Sequence, residues 1–245
     1  MDFDVTETGD GDALVVFVHG VLDRGASFRR VAELLTGECR MVWYDRRGYG
    51  RSSRAGESPS GLDGHVADLL AVLDGRRAVV VGHSFGGVTV LGAAARAPEL
   101  VDSVVLYETV TAWAPGWDDR IMRGVLASED PGDAGLRMML GDRLDGLDDD
   151  ERARWRREAA TFVAEERSAR LPVPPYDLAD IRSPIVYGAS DPRVMAPVLE
   201  HLRATTPSVE VVTIPGAGHN AHRSAPDGFA ELVRRGIVVA RERRY

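Results

Sequence analysis

Residues 78–87 read Ala78-Val79-Val80-Val81-Gly82-His83-Ser84-Phe85-Gly86-Gly87, an apolar run that ends in Gly-x-Ser-x-Gly and passes into a helical pattern over Phe85–Ala97. A strand feeding a helix through this pattern is the signature of a nucleophile elbow, in which a serine stands on a strained turn with its hydroxyl above the sheet. The requirement is steric. Gly82 and Gly86 carry no Cβ, so two crossing backbones can approach on either side of Ser84. The helix behind the elbow aims its positive end at the reacting oxygen.

Working outward, further runs rich in Val, Ile and Leu occur at Ala13–Val18, Arg40–Trp43, Ser103–Tyr107, Ile185–Tyr187 and Glu210–Ile214. Near-continuous apolar runs are expected of parallel strands covered on both faces. Helical patterns lie between them, at Gly25–Leu35, Leu62–Leu73, Val194–Ala204 and Asp227–Val239. This alternation predicts an α/β fold with a mostly parallel, doubly wound sheet, to which Asp2–Glu7 adds an antiparallel edge strand.

The alternation stops once. Residues 111–180 hold three helical stretches, roughly Trp117–Ser128, Gly135–Gly141 and Asp148–Ala169, and close in the proline cluster Leu171-Pro172-Val173-Pro174-Pro175-Tyr176, a stiff connector. The expected organisation is therefore a core of residues 1–110 and 181–245 with an inserted helical cap of residues 111–180. Ligands of open α/β sheets bind at the carboxyl edge, so the cap is expected to cover the site. The acids-then-arginines order of Asp148–Glu158 suits the helix dipole and reads as a solvated helix.

A serine hydroxyl needs a base within hydrogen-bond reach. His219, in Ile214-Pro215-Gly216-Ala217-Gly218-His219, follows the last strand on the same edge as Ser84 and is the expected base; His222 is its rival. His83 is expected to turn aside within the elbow, and His65 and His201 to be ordinary helical residues, at the surface or half-buried. Asp191, in Gly188-Ala189-Ser190-Asp191-Pro192, is the expected orienting acid, in the chain order serine, acid, histidine. Glu108, after Val104–Tyr107, is the competing acid and is otherwise expected to line the substrate pocket. The backbone N–H groups of Phe85 and of Val21, the latter in His19-Gly20-Val21-Leu22, are the expected oxyanion donors, with His19 pinning the loop. Trp113 and Met138, with Trp117, Met139 and Trp155, suggest an apolar substrate surface in the cap.

Composition narrows the partners. The formal charge of -8 and a pI near 5.3 argue against nucleic acid and against an anionic membrane surface. Every one of the 30 basic residues is arginine, so a lysine nucleophile or Schiff base is excluded. Cys39 is the single cysteine, which suits a reducing compartment and a buried structural role. The acidic start Met1-Asp2-Phe3-Asp4 lacks the order of a signal peptide, and no apolar run approaches the ~20 residues a bilayer needs. A cytoplasmic protein acting on a small molecule is expected.

The sequence His19-Gly20, then Asp45-Arg46-Arg47-Gly48-Tyr49-Gly50-Arg51-Ser52, then Gly82–Gly87, Asp191 and His219 resembles the α/β-hydrolase superfamily, in its capped esterase, lactonase and C–C hydrolase branch. In that resemblance the Asp45–Ser52 segment shapes a loop near the site and is not catalytic. The implied activity is hydrolysis of a carboxylic ester or lactone of a small, largely apolar substrate through an acyl-enzyme, with no metal and no organic cofactor. C–C bond hydrolysis or perhydrolysis on the same residues is the alternative within enzymes. A small-molecule receptor that retains the fold is the alternative of another class. A haloalkane dehalogenase is disfavoured, because those enzymes carry aspartate at the nucleophile position.

Overall fold

The computed structural model describes residues 4–53, 60–171 and 174–243. Asp2 and Phe3 of the expected edge strand, and Pro172 and Val173 of the proline cluster, lie outside the described residues. Among the described residues seven strands form one sheet: β1 (Val5–Thr8), β2 (Ala13–Val18), β3 (Cys39–Tyr44), β4 (Ala78–His83), β5 (Val101–Tyr107), β6 (Ile185–Ala189) and β7 (Val209–Thr213). Their spatial order is β1-β3-β2-β4-β5-β6-β7, with β1 antiparallel to β3 and every other pairing parallel. The chain steps from β2 outward to β3 and then returns to place β4 on the other side of β2. This reversal opens a crevice beyond the carboxyl ends of β2 and β4.

Helices cover both faces. Along β2, Val15 and Phe17 pack with Phe28, Val31, Phe229 and Leu232, whereas Leu14, Val16 and Val18 belong to the opposite cluster with Val66, Leu69 and Leu91. The first cluster is closed by α1 (Arg29–Leu34) and, at the end of the chain, by Pro226–Glu242; the second by α2 (Leu62–Leu73) and α3 (Phe85–Arg96). The period-2 alternation of a strand splits its apolar residues between two cores, which is why the runs read as unbroken in sequence. Cys39 is buried as expected.

Between β5 and β6 stand α4 (Arg120–Leu126), α5 (Pro131–Leu140) and α6 (Asp149–Ser168). The N-terminal aspartates of α6 behave as predicted: Asp148 accepts a hydrogen bond from the Glu151 amide, satisfying one unpaired donor of the first turn. The far half of the helix departs from the solvated reading. Glu158, Thr161, Phe162 and Glu165 lie on one helical face and are buried. Ser168 Oγ accepts from the Leu62 amide at 2.8 Å, and Glu158 takes the Arg24 guanidinium on both oxygens at 2.6 and 2.7 Å.

The deepest attachment is made by Glu165. Its oxygens receive the Arg46 guanidinium and the Tyr49 hydroxyl (2.7 Å), and His65 Nε2 stands 2.8 Å away, all without side-chain exposure. His65 is therefore not the surface or half-buried residue expected from its helix. Burial alone would raise the Glu165 pKa, but the Arg46 charge and the neighbouring His65 hold it below the ordinary carboxylate value.

Two more helices complete the chain before the last one: α7 (Ala196–Thr205) and the short α8 (Ala221–Ser224), followed by α9 (Pro226–Glu242). Among the described residues no helix is long and apolar enough to cross a membrane.

Removing one partner of a buried ion pair leaves the other charge uncompensated, at a cost of about 3–5 kcal/mol. Glu165→Gln should therefore lower stability by that order at pH 7. Because the native pKa lies below the unfolded one, the stabilisation is present above the unfolded value and is lost as pH falls through the native value. Chemical denaturation of both proteins from pH 7 downward should show the gap between them closing below about pH 4.5. A gap that is constant with pH would contradict an ionised Glu165.

Candidate active site

Ser84 sits between β4 and α3 at φ 52°, a conformation that non-glycine residues rarely adopt. The turn is held by two hydrogen bonds, Ser84 N–H to the Tyr107 carbonyl and Gly87 N–H to the Ser84 carbonyl, both 2.9 Å. The crossing is as tight as the glycines imply: a Cβ on Gly82 would fall 2.4 Å from Gly87 Cα, and one on Gly86 2.2 Å from the Val18 carbonyl oxygen. Ser84 thus lies against the loop that follows β2.

That loop is fastened from below. His19 is fully buried; its Nδ1 bonds the Gly20 carbonyl at 2.8 Å and its Nε2 bonds the Arg46 amide at 2.9 Å. A carbonyl only accepts and an amide only donates, so the ring is the neutral Nδ1–H tautomer. Burial, reinforced by the Arg46 charge, keeps its pKa well below the usual histidine value. Arg46 itself donates to the carbonyls of His19 (2.8 Å) and Gly20 (2.9 Å). With those carbonyls engaged, the chain turns through Val21 to Leu22, which has φ 51°. Val21 lines the same cavities as Ser84, and Phe85, as the first residue of α3, has an amide that no helical carbonyl can take.

His219 lines both cavities that Ser84 lines. Its backbone is anchored twice: His83 Nε2 donates to the His219 carbonyl at 2.7 Å, and the Tyr107 hydroxyl donates to the Gly218 carbonyl at 2.8 Å. His83 is turned aside as expected, buried and neutral, with a pKa pushed well down first by burial and then by the adjoining histidines. The rival His222 is also buried, and its Nε2 bonds Asp23 at 3.2 Å. It lines neither cavity at Ser84. His201 is half-buried on α7.

The acid facing His219 is Glu108, not Asp191. Glu108 Oε2 lies 3.0 Å from His219 Nδ1, and Oε1 accepts the Ser190 amide at 3.0 Å. The register explains the reach. His83 pairs with Tyr107 and Tyr107 with Gly188, so Ser84 and Glu108 leave adjacent strands at one level. Glu108 has φ 42°, and its own amide bonds the Gly188 carbonyl at 3.0 Å, which directs the side chain across the end of β6.

Asp191 lies two residues past β6, in a turn that carries its carboxylate to solvent. There it accepts from the Arg193 amide at 3.0 Å and pairs with the Arg193 guanidinium at 2.7 Å. Those bonds, the guanidinium first, hold its pKa below the ordinary aspartate value. The expectation of Asp191 as the orienting acid is corrected accordingly. Burial would raise the Glu108 pKa, but the bonds from His219 and Ser190 hold it down. An ionised carboxylate only accepts, so the neutral His219 ring carries its proton on Nδ1 and presents a bare Nε2.

Two cavities meet at Val21, Ser84, Met139 and His219. One, of about 330 Å³, is apolar, with Val88, Trp117, Ile121, Met122 and Met138 on its walls. The other, of about 390 Å³, is lined by Trp155, which the sequence reading named, and by Arg24, Arg143, Arg154 and Arg223, which it missed. Met138 stands where expected. Trp113 does not: it lines neither cavity and packs edge-on against Tyr176 with ring centroids 5.5 Å apart. Glu108 serves His219 rather than a pocket wall.

Residues 15–232 match the family model described as "Alpha/beta hydrolase family". The chain is 28% identical to 2-(acetamidomethylene)succinate hydrolase of Mesorhizobium japonicum, over 91% of this chain and 87% of that protein. It is 36% identical to Lipase LipV of Mycobacterium tuberculosis, over 49% of this chain and 46% of the lipase. Among solved structures, a hydrolase from Pseudomonas aeruginosa superposes with a TM-score of 0.69 at 25% identity, covering 95% of this chain and 93% of that one. With the family pattern running from β2 to α9 and relatives that are hydrolases along nearly the whole length, the chain belongs to the α/β-hydrolase family.

Proposed function

We propose that the protein is a serine hydrolase that cleaves a carboxylic ester or lactone of a small molecule through an acyl-enzyme. The observation that carries this reading is the strained Ser84 sharing its cavities with His219, whose Nδ1 is held 3.0 Å from the Glu108 carboxylate. The triad is then Ser84, His219 and Glu108. His219 Nε2 takes the Ser84 proton as Oγ attacks the carbonyl carbon, and Glu108 stabilises the imidazolium that forms.

The amides of Val21 and Phe85 receive the oxyanion of the tetrahedral intermediate. They are fixed before substrate arrives, one by the clamp of Arg46 on the preceding carbonyls and the other by the helix start, so little reorganisation opposes catalysis. His219 returns its proton to the departing alcohol. Water then attacks the acyl-enzyme by the same route and restores Ser84. Every step is supplied by side chains and amides of this chain, without a cofactor.

Residues 111–180 act as a cap on a core made of residues 1–110 and 181–245. Helices α4, α5 and α6 supply Met122, Met138, Met139, Arg154 and Trp155 to the walls around Ser84, whereas the proposed reacting groups all come from core loops. Cap substitutions therefore change which substrate is accepted more than whether Ser84 reacts.

A fluorophosphonate probe should label the protein at Ser84, located by peptide mass, and Ser84→Ala should abolish both labelling and turnover of p-nitrophenyl esters. Labelling that persists in the alanine variant would place the nucleophile elsewhere. Glu108→Gln should lower kcat by roughly 10³–10⁴-fold, the size of a tautomer error in such triads. Asp191→Asn, which loses only a solvent-facing pair with Arg193, should stay near wild type; the reverse order of costs would refute the assignment of Glu108.

A further inference from the structure

The two cavities at Ser84 differ in chemistry, and the difference specifies the substrate more closely than the hydrolase reading alone. The apolar cavity holds carboxylates at its margin, but Asp119 and Glu166 are both committed to Arg170, and Asp118 to Arg120. Arg170 lines that cavity as well, but its guanidinium is held by Asp119 and Glu166, so an anion placed there would meet apolar walls and an already matched charge. The other cavity collects arginines in a chain whose formal charge is -8.

Two of those arginines are already matched. Arg24 is held by both oxygens of Glu158, lying over the Trp155 ring 5.7 Å from its centroid, and Arg223 is paired with Asp23. Arg143 and Arg154 have no carboxylate within ion-pair distance among the described residues. Arg154 feels Glu158 at longer range, but that carboxylate gives both its oxygens to Arg24. Arg143 follows α5 and Arg154 stands on the next helix, α6, so two successive elements bring two unmatched guanidinium groups to the mouth of one cavity that Ser84 and His219 also line. Asn220, beside the base, adds a neutral polar group to the same wall.

We infer that the substrate is a two-sided ester or lactone, with an apolar group on one side of the scissile carbonyl and an oxyanion, a carboxylate or a phosphate monoester, on the other, bound by Arg143 and Arg154. The inference rests on Ser84 being the nucleophile, which fixes the carbonyl at the border shared by the two cavities. Guanidinium groups meet either oxyanion with paired N–H donors, and at a cavity mouth they also draw the anion in from solution. The apolar half then goes to Met122 and Met138 because the charged half excludes itself from that side.

The test uses pairs of aryl esters that differ only in charge: phenyl-ring esters of butanoic acid bearing a methyl ester, a carboxylate or a phosphate, and a second set with the carboxylate on the acyl chain. In at least one set kcat/KM should favour the anionic member by about tenfold or more, the effect of a charge-assisted hydrogen bond. That preference should shrink as salt is raised. Arg143→Ala/Arg154→Ala should bring the ratio close to one, and Arg143→Lys/Arg154→Lys, which keeps the charge, should restore most of it.

A second readout does not depend on turnover. Calorimetric binding of 4-butanamidobenzoate against its methyl ester, and of 4-butanamidophenyl phosphate against its neutral dimethyl ester, to Ser84→Ala should show the same anionic preference and the same loss on removing both arginines. The tighter of the two anions identifies the source of the charge. Neutral members favoured in every pair, or a binding preference that survives the double alanine variant, would overturn the inference. Failure of Ser84 to take a fluorophosphonate would overturn the hydrolase reading instead and leave the binding result decisive on its own.

Discussion

Arg46 is the side chain on which the geometry of the site depends. It is fully buried and bonded to two separate parts of the fold, the loop after β2 and helix α6. Its Nε and Nη2 hold the carbonyls of His19 and Gly20, its amide holds His19 Nε2, and its Nη1 meets Glu165 on α6. A buried guanidinium is tolerable only when its donors are met, and here each bond that meets them also fixes a functional element. One end sets the loop that carries Val21; the other fastens the helix whose Arg154 and Trp155 line a cavity shared with Ser84. The buried charge pair thus ties the sheet to the inserted helices.

Most of the backbone strain gathers in the same region. Of the non-glycine residues with positive φ among those described, Leu22, Ser84 and Glu108 stand at the carboxyl ends of β2, β4 and β5; Asp74, the other, closes α2. Each costs of order 1–3 kcal/mol, and such residues persist where the surroundings over-determine them. The surroundings here are adjacent parallel strands whose register leaves Ser84 and Glu108 at one level, with His219 lowered toward them by bonds from His83 and Tyr107. A parallel sheet supplies rigid, evenly spaced strand ends; positive φ turns the side chains off those ends toward a common point.

Much of this was legible in the sequence. The alternation of apolar runs and helical patterns marked the doubly wound sheet, and Gly-x-Ser-x-Gly after β4 marked Ser84. The acid was not, for a local reason. Glu108 and Asp191 both follow strands that end near His219, and the choice between them is made by backbone angles at residue 108 and by the turn at 190–193, neither of which residue type reports. The presence of Arg193 two residues after Asp191 was the available cue, since a nearby guanidinium competes for that carboxylate. The arginine cavity was missed because Arg154 sits in a charge-dense stretch that reads as solvated. The i, i+3, i+4, i+7 stripe of Glu158, Thr161, Phe162 and Glu165 within that stretch was the sign of a buried face.

In the proposed triad Glu108 accepts a hydrogen bond from the protonated Nδ1 of His219 and so leaves Nε2 free for Ser84. Proton NMR reads that bond directly, because an imidazole N–H held by a buried carboxylate resonates far downfield of ordinary amides and exchanges slowly enough to be seen. His65 beside Glu165 and His222 beside Asp23 can give resonances of this kind too; the one assigned through ¹⁵N-labelled histidine to His219 Nδ1 should be present in the wild type and in Asp191→Asn and absent in Glu108→Gln. A His219 Nδ1 resonance that survives Glu108→Gln, or vanishes in Asp191→Asn, would contradict that triad.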